Sequence, residues 1–343
     1  MTDHTTDASL KARQTDPVVR PAVPPTLKIS VVIPVYNEKE NLKDLANELS
    51  AAFKTSGLAW ESVWIDDGST DGSDLELRSI LKDLPGARLI RFARNFGQTA
   101  AMSAGIQAAS GEYIVTMDAD LQNDPADIAA LVRAASEGFD VVSGWRRNRK
   151  DAFFLRILPS RIANFIISKV TGVDLHDYGC TLKIYKASHL KTVELYGEMH
   201  RFLPALLGYM GANIAELPVT HRARAKGNSK YGLGRIFKVT LDLITVKFMG
   251  DFLSKPIYLF GGLSLGLVSA SAVMAAFTLY KKFFEHVFVK DQPLFLVAIF
   301  FALAGLQFAF MGLMAEILVR TYYRSNHKPA YAIKETITFN KES

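Results

Sequence analysis

Apolar residues follow two different rhythms along this chain. From Lys28 to about Trp145, short apolar runs of strand length alternate with longer stretches of helical periodicity. The strand-like runs are Lys28–Val35, Ser62–Ile65, Arg88–Phe92, Tyr113–Met117 and Asp140–Ser143. Between them Glu40–Thr55, Asp71–Lys82, Gln98–Ala109 and Ala126–Glu137 read as helices, the last opened by Pro125, whose fixed φ suits a first turn. Regular alternation of this kind predicts a doubly wound, Rossmann-like α/β domain with a mainly parallel sheet.

The second rhythm is continuous apolarity. Ile257 to Tyr280 contains no charged residue, and Leu294 to Val319 contains one carboxylate, Glu316. At 1.5 Å per residue either run makes a helix of roughly 36 Å or more, enough to cross a hydrocarbon layer of about 30 Å. Small residues recur on the first (Gly261, Gly262, Ser264, Gly266, Ser269, Ala270), as where helices pack closely in lipid. Two spans place both chain ends on one side. Lys247, Lys255, Arg320, Arg324 and Lys328 flank the outer ends, while Lys281, Lys282 and Lys290 lie in the short connecting loop.

The chain therefore divides into a polar, proline-rich arm over 1–26 and an α/β domain over 27–230 that includes an interfacial amphipathic helix at about 153–170. A juxtamembrane helix over 231–255, two transmembrane helices over 256–320 and a cytoplasmic tail over 321–343 follow. The arm lacks the apolar core of a signal peptide, so the α/β domain is expected on the cytoplasmic face.

Composition adds exclusions. With 49% apolar and 22% charged residues the chain is not wholly disordered, and one cysteine excludes an internal disulfide framework. The mean hydropathy of +0.12 is high for a soluble domain, and the two spans account for it. A net charge of +6 suits anionic partners: phosphates, a membrane surface or nucleic acid. No nucleic-acid signature is present, so nucleic acid is not an expected partner.

In parallel sheets ligands bind at the carboxyl ends of strands. Three such ends carry chemistry here: Pro34-Val35-Tyr36-Asn37-Glu38, Asp66-Asp67-Gly68-Ser69-Thr70-Asp71, and Asp118-Ala119-Asp120-Leu121-Gln122. Neither a G-x-G-x-x-G after the first strand nor a P-loop is found, which removes the main support for dinucleotide or P-loop chemistry. Asp118 and Asp120, two residues apart, face the same way in an extended segment and suit one hard cation, Mg²⁺ or Mn²⁺, completed by phosphate oxygens.

VVIPVYNE, IDDGSTDGS, RFARNFGQTAAMSAGI and MDADLQNDP together resemble family 2 glycosyltransferases of GT-A fold. The fuller resemblance, from about Lys28 to Arg235 and on to the two apolar helices, is to the polyprenyl-phosphate glycosyltransferases: bactoprenol glucosyltransferases, undecaprenyl-phosphate aminoarabinose transferases and dolichyl-phosphate mannose synthases. It implies a membrane-bound, inverting transfer of a sugar from a nucleotide donor to a lipid-carrier phosphate for cell-envelope glycan or lipopolysaccharide modification. It also implies a bacterial inner-membrane location and assembly as a homo-oligomer, a tetramer in relatives. A UDP-linked donor is expected, with the sugar left open. By the same resemblance Pro34, Tyr36 and Glu38 line the nucleoside pocket, Asp67 reads base or ribose, and Asp118, Asp120 and Gln122 hold the metal. Gly97 and Gln98 open the third helix, where backbone N–H groups could approach the ligand.

Cations are expected between the nucleotide and the bilayer. Arg146 follows the fifth strand, and Arg156 and Ser160, four apart, share a helix face; all three match the family's lipid-phosphate site. Arg222 is assigned to the lipid phosphate and Lys230, in a Gly- and cation-rich loop, to the donor, with Arg201 a further candidate for either. By the same resemblance Asp177 matches an acidic residue that faces the donor sugar or acceptor, and a positioning or sugar-binding role is expected of it ahead of a base role; His176, Asp177 and Cys180 make a poor metal set. A processive polysaccharide synthase and a non-catalytic membrane anchor are the alternatives. The former lacks its Q-x-x-R-W segment here.

Overall fold

The computed structural model describes residues 10–11, 27–147, 158–195, 197–222, 242–248, 250, 256–324 and 333–339. Arg156, Lys230 and most of the expected juxtamembrane helix lie outside this set. The chain forms two units, Met1–Val246 with Pro329–Ser343, and Lys247–Lys328.

In the first unit, strands β1 (Lys28–Val35), β2 (Ala59–Asp66), β3 (Ala87–Phe92) and β4 (Tyr113–Thr116) alternate with helices α1 (Lys39–Ser56), α2 (Ser73–Ile80) and α3 (Gln98–Ala108). Helix α4 (Ile128–Ser136), β5 (Val141–Trp145), α5 (Leu158–Thr171), β6 (Lys183–Lys186), α6 (Leu203–Tyr209) and β7 (Ile214–Pro218) follow. The expected interfacial helix at about 153–170 corresponds to α5, which exposes Phe165 and Ile166. A last strand, β8 (Ile333–Phe339), comes after the second unit.

The sheet order is β8-β3-β2-β1-β4-β6-β5-β7. Strands β1 to β4 run parallel, as do β5 and β7, while β6 and β8 run antiparallel to their neighbours. The carboxyl ends of β1 to β5 and β7 thus share one edge with the entry points of β6 and β8. Alternation along β1 sends Ile29, Val31, Ile33 and Val35 into a core with Leu42, Leu45, Leu49 and Phe53 of α1 and Leu131 of α4. Helix α3 covers the opposite face so closely that a Cβ on Gly105 would fall 2.6 Å from Ile65 Cδ1.

The tail expected over 321–343 is not separate from the domain: its residues 333–339 are a strand of the same sheet, paired antiparallel to β3. Their alternating Ile-Lys-Glu-Thr-Ile-Thr-Phe pattern suits a strand, but the partner lies some 240 residues earlier.

The second unit is a helical hairpin, α7 (Ile257–Phe284) and α8 (Pro293–Arg324). Ile257–Phe284 and Pro293–Leu318 are long and apolar enough to cross a membrane. Ser264, Ser271 and Thr278 are buried on α7, as are Ala298, Gly305 and Gly312 on α8. Large apolar side chains such as Leu265, Val273, Phe300 and Leu303 point outward, as a lipid-facing hairpin requires.

Candidate active site

The loops at the shared edge are laced to one another. Asn37, with a left-handed backbone (φ 55°), donates its N–H to Ser69 Oγ (3.0 Å) and accepts from the Thr70 N–H through its side chain (2.8 Å). Glu38 starts α1, and its carboxylate accepts from Asn41 Nδ2 at 2.7 Å. Pro34 and Tyr36 are half-buried beside it.

Asp67 is almost fully buried, and its two oxygens accept the N–H groups of Phe96 (2.7 Å) and Gly97 (2.9 Å). Burial raises its pKa above the ordinary aspartate value, against these two bonds. The Gly97 N–H, expected to meet a ligand, is instead committed to Asp67. Gly68 turns with φ 70° because a side chain would strike the Arg94 backbone: its Cβ would lie 2.5 Å from the carbonyl carbon. Loops 67–70 and 93–97 therefore sit in direct contact.

Asp118 and Asp120 follow β4. Asp118 accepts from Gln98 Nε2 at 2.8 Å and bonds Thr181, so Gln98 is spent on the carboxylate. Burial and the neighbouring Asp120 charge push the Asp118 carboxyl well above the usual range, with Arg201 and Arg146 opposing the shift. Leu121 sits at φ 59°, a left-handed conformation costing a branched residue about 1–2 kcal/mol. The Gln122 N–H bonds Asp120 Oδ1 at 3.2 Å, and its C=O accepts the Arg222 N–H at 2.8 Å. Two crowded carboxylates and an amide are hard oxygen donors, a set that fits Mg²⁺ or Mn²⁺ and leaves further positions to ligand phosphates. Among the described residues no larger cluster of His, Cys, Asp or Glu gathers for a metal.

Opposite stands a buried ion pair. Arg146 Nε donates to Asp177 Oδ2 (2.7 Å) and Nη2 to Oδ1 (2.9 Å), while the Gly179 N–H also reaches Oδ1 (3.1 Å). The guanidinium pKa rises: desolvation works against it, and the bond to Asp177 prevails. The loop is set from behind by Glu216, which accepts the N–H groups of His176 and Asp177, each at 3.1 Å, and His176 Nδ1 at 2.7 Å. The His176 ring stacks on Trp145 at 4.4 Å.

A small cavity is lined by Thr181, Lys183, His200 and Arg201 among others. Burial lowers Lys183 to about 8, and its ammonium donates to the carbonyls of Tyr178 (2.9 Å) and Cys180 (2.6 Å). Thr99 and His200 Nδ1 are bonded at 2.7 Å, tying α3 to the turn that carries Arg201. Sequence reasoning does not find Thr181, Lys183, His200 or Glu216: isolated polar residues in apolar stretches carry no motif.

Arg222, expected at the lipid phosphate, turns elsewhere. Its guanidinium binds Glu48 (2.8 Å) and Asp124 (2.5 Å), and a backbone bridge pairs His221 with Asn123. Ser160 is half-buried on α5.

Residues 30–193 match the model of glycosyl transferase family 2. A solved glucosyl-3-phosphoglycerate synthase of Mycobacterium tuberculosis, in complex with Mn²⁺, UDP-glucose and glycerol 3-phosphate, superposes with TM-score 0.54 at 18% identity, covering 71% of this chain and 88% of that one. That likeness defines the fold, GT-A. Two curated relatives narrow the class. A dodecaprenyl-phosphate galacturonate synthase of Rhizobium johnstonii is 42% identical over 90% of this chain and 93% of its own. An undecaprenyl-phosphate 4-deoxy-4-formamido-L-arabinose transferase of Salmonella paratyphi A is 37% identical over 93% and 98%. The chain belongs to the polyprenyl-phosphate glycosyltransferases of family 2.

Proposed function

We propose that this membrane protein transfers a sugar from a UDP-sugar to the phosphate of a polyprenyl carrier, inverting the anomeric carbon and making a lipid-linked sugar donor for envelope modification. The observation that carries this reading is the meeting of the Asp118–Asp120 pair and the Arg146–Asp177 pair at one sheet edge, beside the loop that holds Asp67. Relatives that act on dodecaprenyl and undecaprenyl phosphates support the acceptor class.

Asp67, with Pro34, Tyr36 and Glu38, forms the nucleoside side of the site. Asp118, Asp120 and Gln122 hold Mg²⁺ or Mn²⁺, which supplies charge neutralisation at the donor diphosphate when bound. Gln98 and Thr181 orient Asp118. Asp177 is a positioning residue: both its oxygens serve Arg146, and no base is needed because a phosphate monoester, with a second pKa near 6, is already largely dianionic at neutral pH. Arg146, held by Asp177, presents its charge to phosphate oxygens, and that fixed charge costs no reorganisation when the leaving diphosphate develops charge. Arg201 adds positive charge near Asp118. Arg222 staples the 219–222 segment to α1 and the metal loop. Arg156, Ser160 and Lys230 belong to the same proposal for the acceptor and donor phosphates.

The arm, α/β domain, juxtamembrane helix and two spans expected from the sequence are kept in the proposal, with β8 counted in the catalytic unit. A sheet that takes strands from both sides of the hairpin supports two spans that leave and re-enter one membrane face, and the proposal assigns that face to the cytoplasmic side of a bacterial inner membrane. Assembly as a homo-oligomer is part of the proposal.

A panel of UDP- and GDP-sugars with undecaprenyl phosphate, run with Mg²⁺, with Mn²⁺ and with chelator, tests the function. A lipid-linked sugar that forms only with divalent metal is expected. Absence of product with every donor would refute the reading.

A further inference from the structure

Strand β8 reaches the catalytic sheet after the chain has passed through both apolar helices. Its register sets Ile333 opposite Phe92 and Phe339 opposite Ala87, so it enters at the edge that carries the site and runs away from it. Side chains fasten it as well. The Glu335 carboxylate binds the Arg78 guanidinium of α2, and Ile337 packs against the core.

Phe92, the last residue of β3, leads straight into the 93–97 turn. Its ring meets Phe96 edge-on at 5.6 Å, and the Arg94 guanidinium covers Phe96 at 4.3 Å. The N–H groups of Phe96 and Gly97 hold Asp67, and Gly68 abuts the Arg94 backbone. The turn cannot shift without loosening Asp67. Without β8, β3 would be an edge strand with one row of unpaired backbone groups, and edges with few tertiary bonds open at lower free energy.

We infer that β8 is a positioning element for the nucleotide side of the donor site: by pairing with β3 it fixes the 93–97 turn and, through Phe96 and Gly97, Asp67. Donor affinity then depends on a segment that arrives only after the membrane hairpin, so a chain that has not completed the hairpin binds donor poorly. The inference rests on the placement of Asp67 at the nucleotide, proposed above.

The test compares the full chain with a chain ending at Lys328, both purified in detergent, using UDP with Mg²⁺ as the probe. Loss of β8 is expected to weaken UDP binding about tenfold and to speed amide exchange at Phe96 and Gly97. The KM for undecaprenyl phosphate at saturating donor should stay within twofold. Glu335→Arg should weaken UDP binding about threefold, with recovery when Arg78→Glu is added, which separates positioning from general folding. UDP affinity within twofold of the full chain in both variants would overturn the inference. So would an equal loss for donor and acceptor. Should the full chain itself not bind UDP, the donor reading falls, and amide exchange at Phe96 and Gly97 alone decides the role of β8.

Discussion

The sheet edge and the membrane hairpin are held together by opposite means. At the edge, each fixed side chain is placed by directed polar bonds: Asp67 by two amides, Asp118 by Gln98 and Thr181, Asp177 by Arg146 and Gly179. In the hairpin the organising feature is shape. Ser264, Ser271 and Thr278 recur every seven residues on α7, and Ala298, Gly305 and Gly312 recur every seven on α8, so two rows of small residues meet along one seam. The difference has a physical origin. Apolar side chains gain little by leaving lipid for one another, so close packing has to hold the helices. At the sheet edge, an unpaired buried charge is costly, so pairing is obligatory.

The comparison breaks most sharply at the metal pair. Asp120→Asn should reduce sugar transfer by on the order of 10³-fold, by removing a ligand on which leaving-group stabilisation depends. Thermal stability should hold or rise, since the substitution relieves the repulsion that raises Asp118. Product formation and thermal unfolding of the same preparation check both halves; a parallel loss of stability would contradict the assignment.

Arg146→Ala is expected next in size for activity and largest for stability. It removes the guanidinium that binds both oxygens of the buried Asp177, a change worth about 3 kcal/mol. Asp177→Asn with Arg146 intact should slow transfer about 10²-fold while leaving the acid limb of the pH–rate profile in place, because Asp177 positions rather than accepts a proton. A lost ionisation in that profile would restore Asp177 as a base.

These two regions are also unequally legible in the sequence. The motifs at 34–38, 66–71 and 118–122 point to the site edge by occurring together in this order, since a single acidic strand end often only caps the next helix, and the spans are plain from the missing charges. Partnerships are not legible. Gly97 reads as a ligand-facing helix start, but its N–H goes to Asp67, 30 residues earlier. Arg222 reads as free for phosphate, but Glu48 lies 174 residues away in sequence and beside it in space. Strand β8 reads as tail because pairing with β3 is a long-range fact. Periodicity reports which face a residue prefers, and long-range topology decides what that face meets.

Within the hairpin, volume should matter more than polarity. A Cβ on Gly305 would lie 2.7 Å from Val268 Cγ2 and 3.1 Å from the Ser264 carbonyl oxygen, so Gly305→Leu has to push the helices apart. It should cost about 2 kcal/mol as an overpacked site and lower the unfolding temperature of the hairpin, while UDP affinity of the separate α/β unit stays within twofold. A matching loss of UDP affinity would show that the two units are not energetically distinct.

The smallest expected effect is the most informative about the seam. Ser271 Oγ donates to the Ala298 carbonyl at 2.7 Å, a buried interhelical hydrogen bond. Were this region held as the sheet edge is, Ser271→Ala would cost as much as breaking a buried polar pair. In lipid the freed carbonyl keeps its own helical bond and the alanine keeps the small volume, so the expected cost is only about 0.6 kcal/mol. Comparing Ser271→Ala with Ser271→Leu in one detergent separates the two contributions: Leu retains no hydrogen bond and adds bulk at the seam. A large penalty for Leu and a slight one for Ala would establish that close packing of small residues holds the helices together. Equal penalties would assign the seam to its hydrogen bond and remove the contrast with the sheet edge.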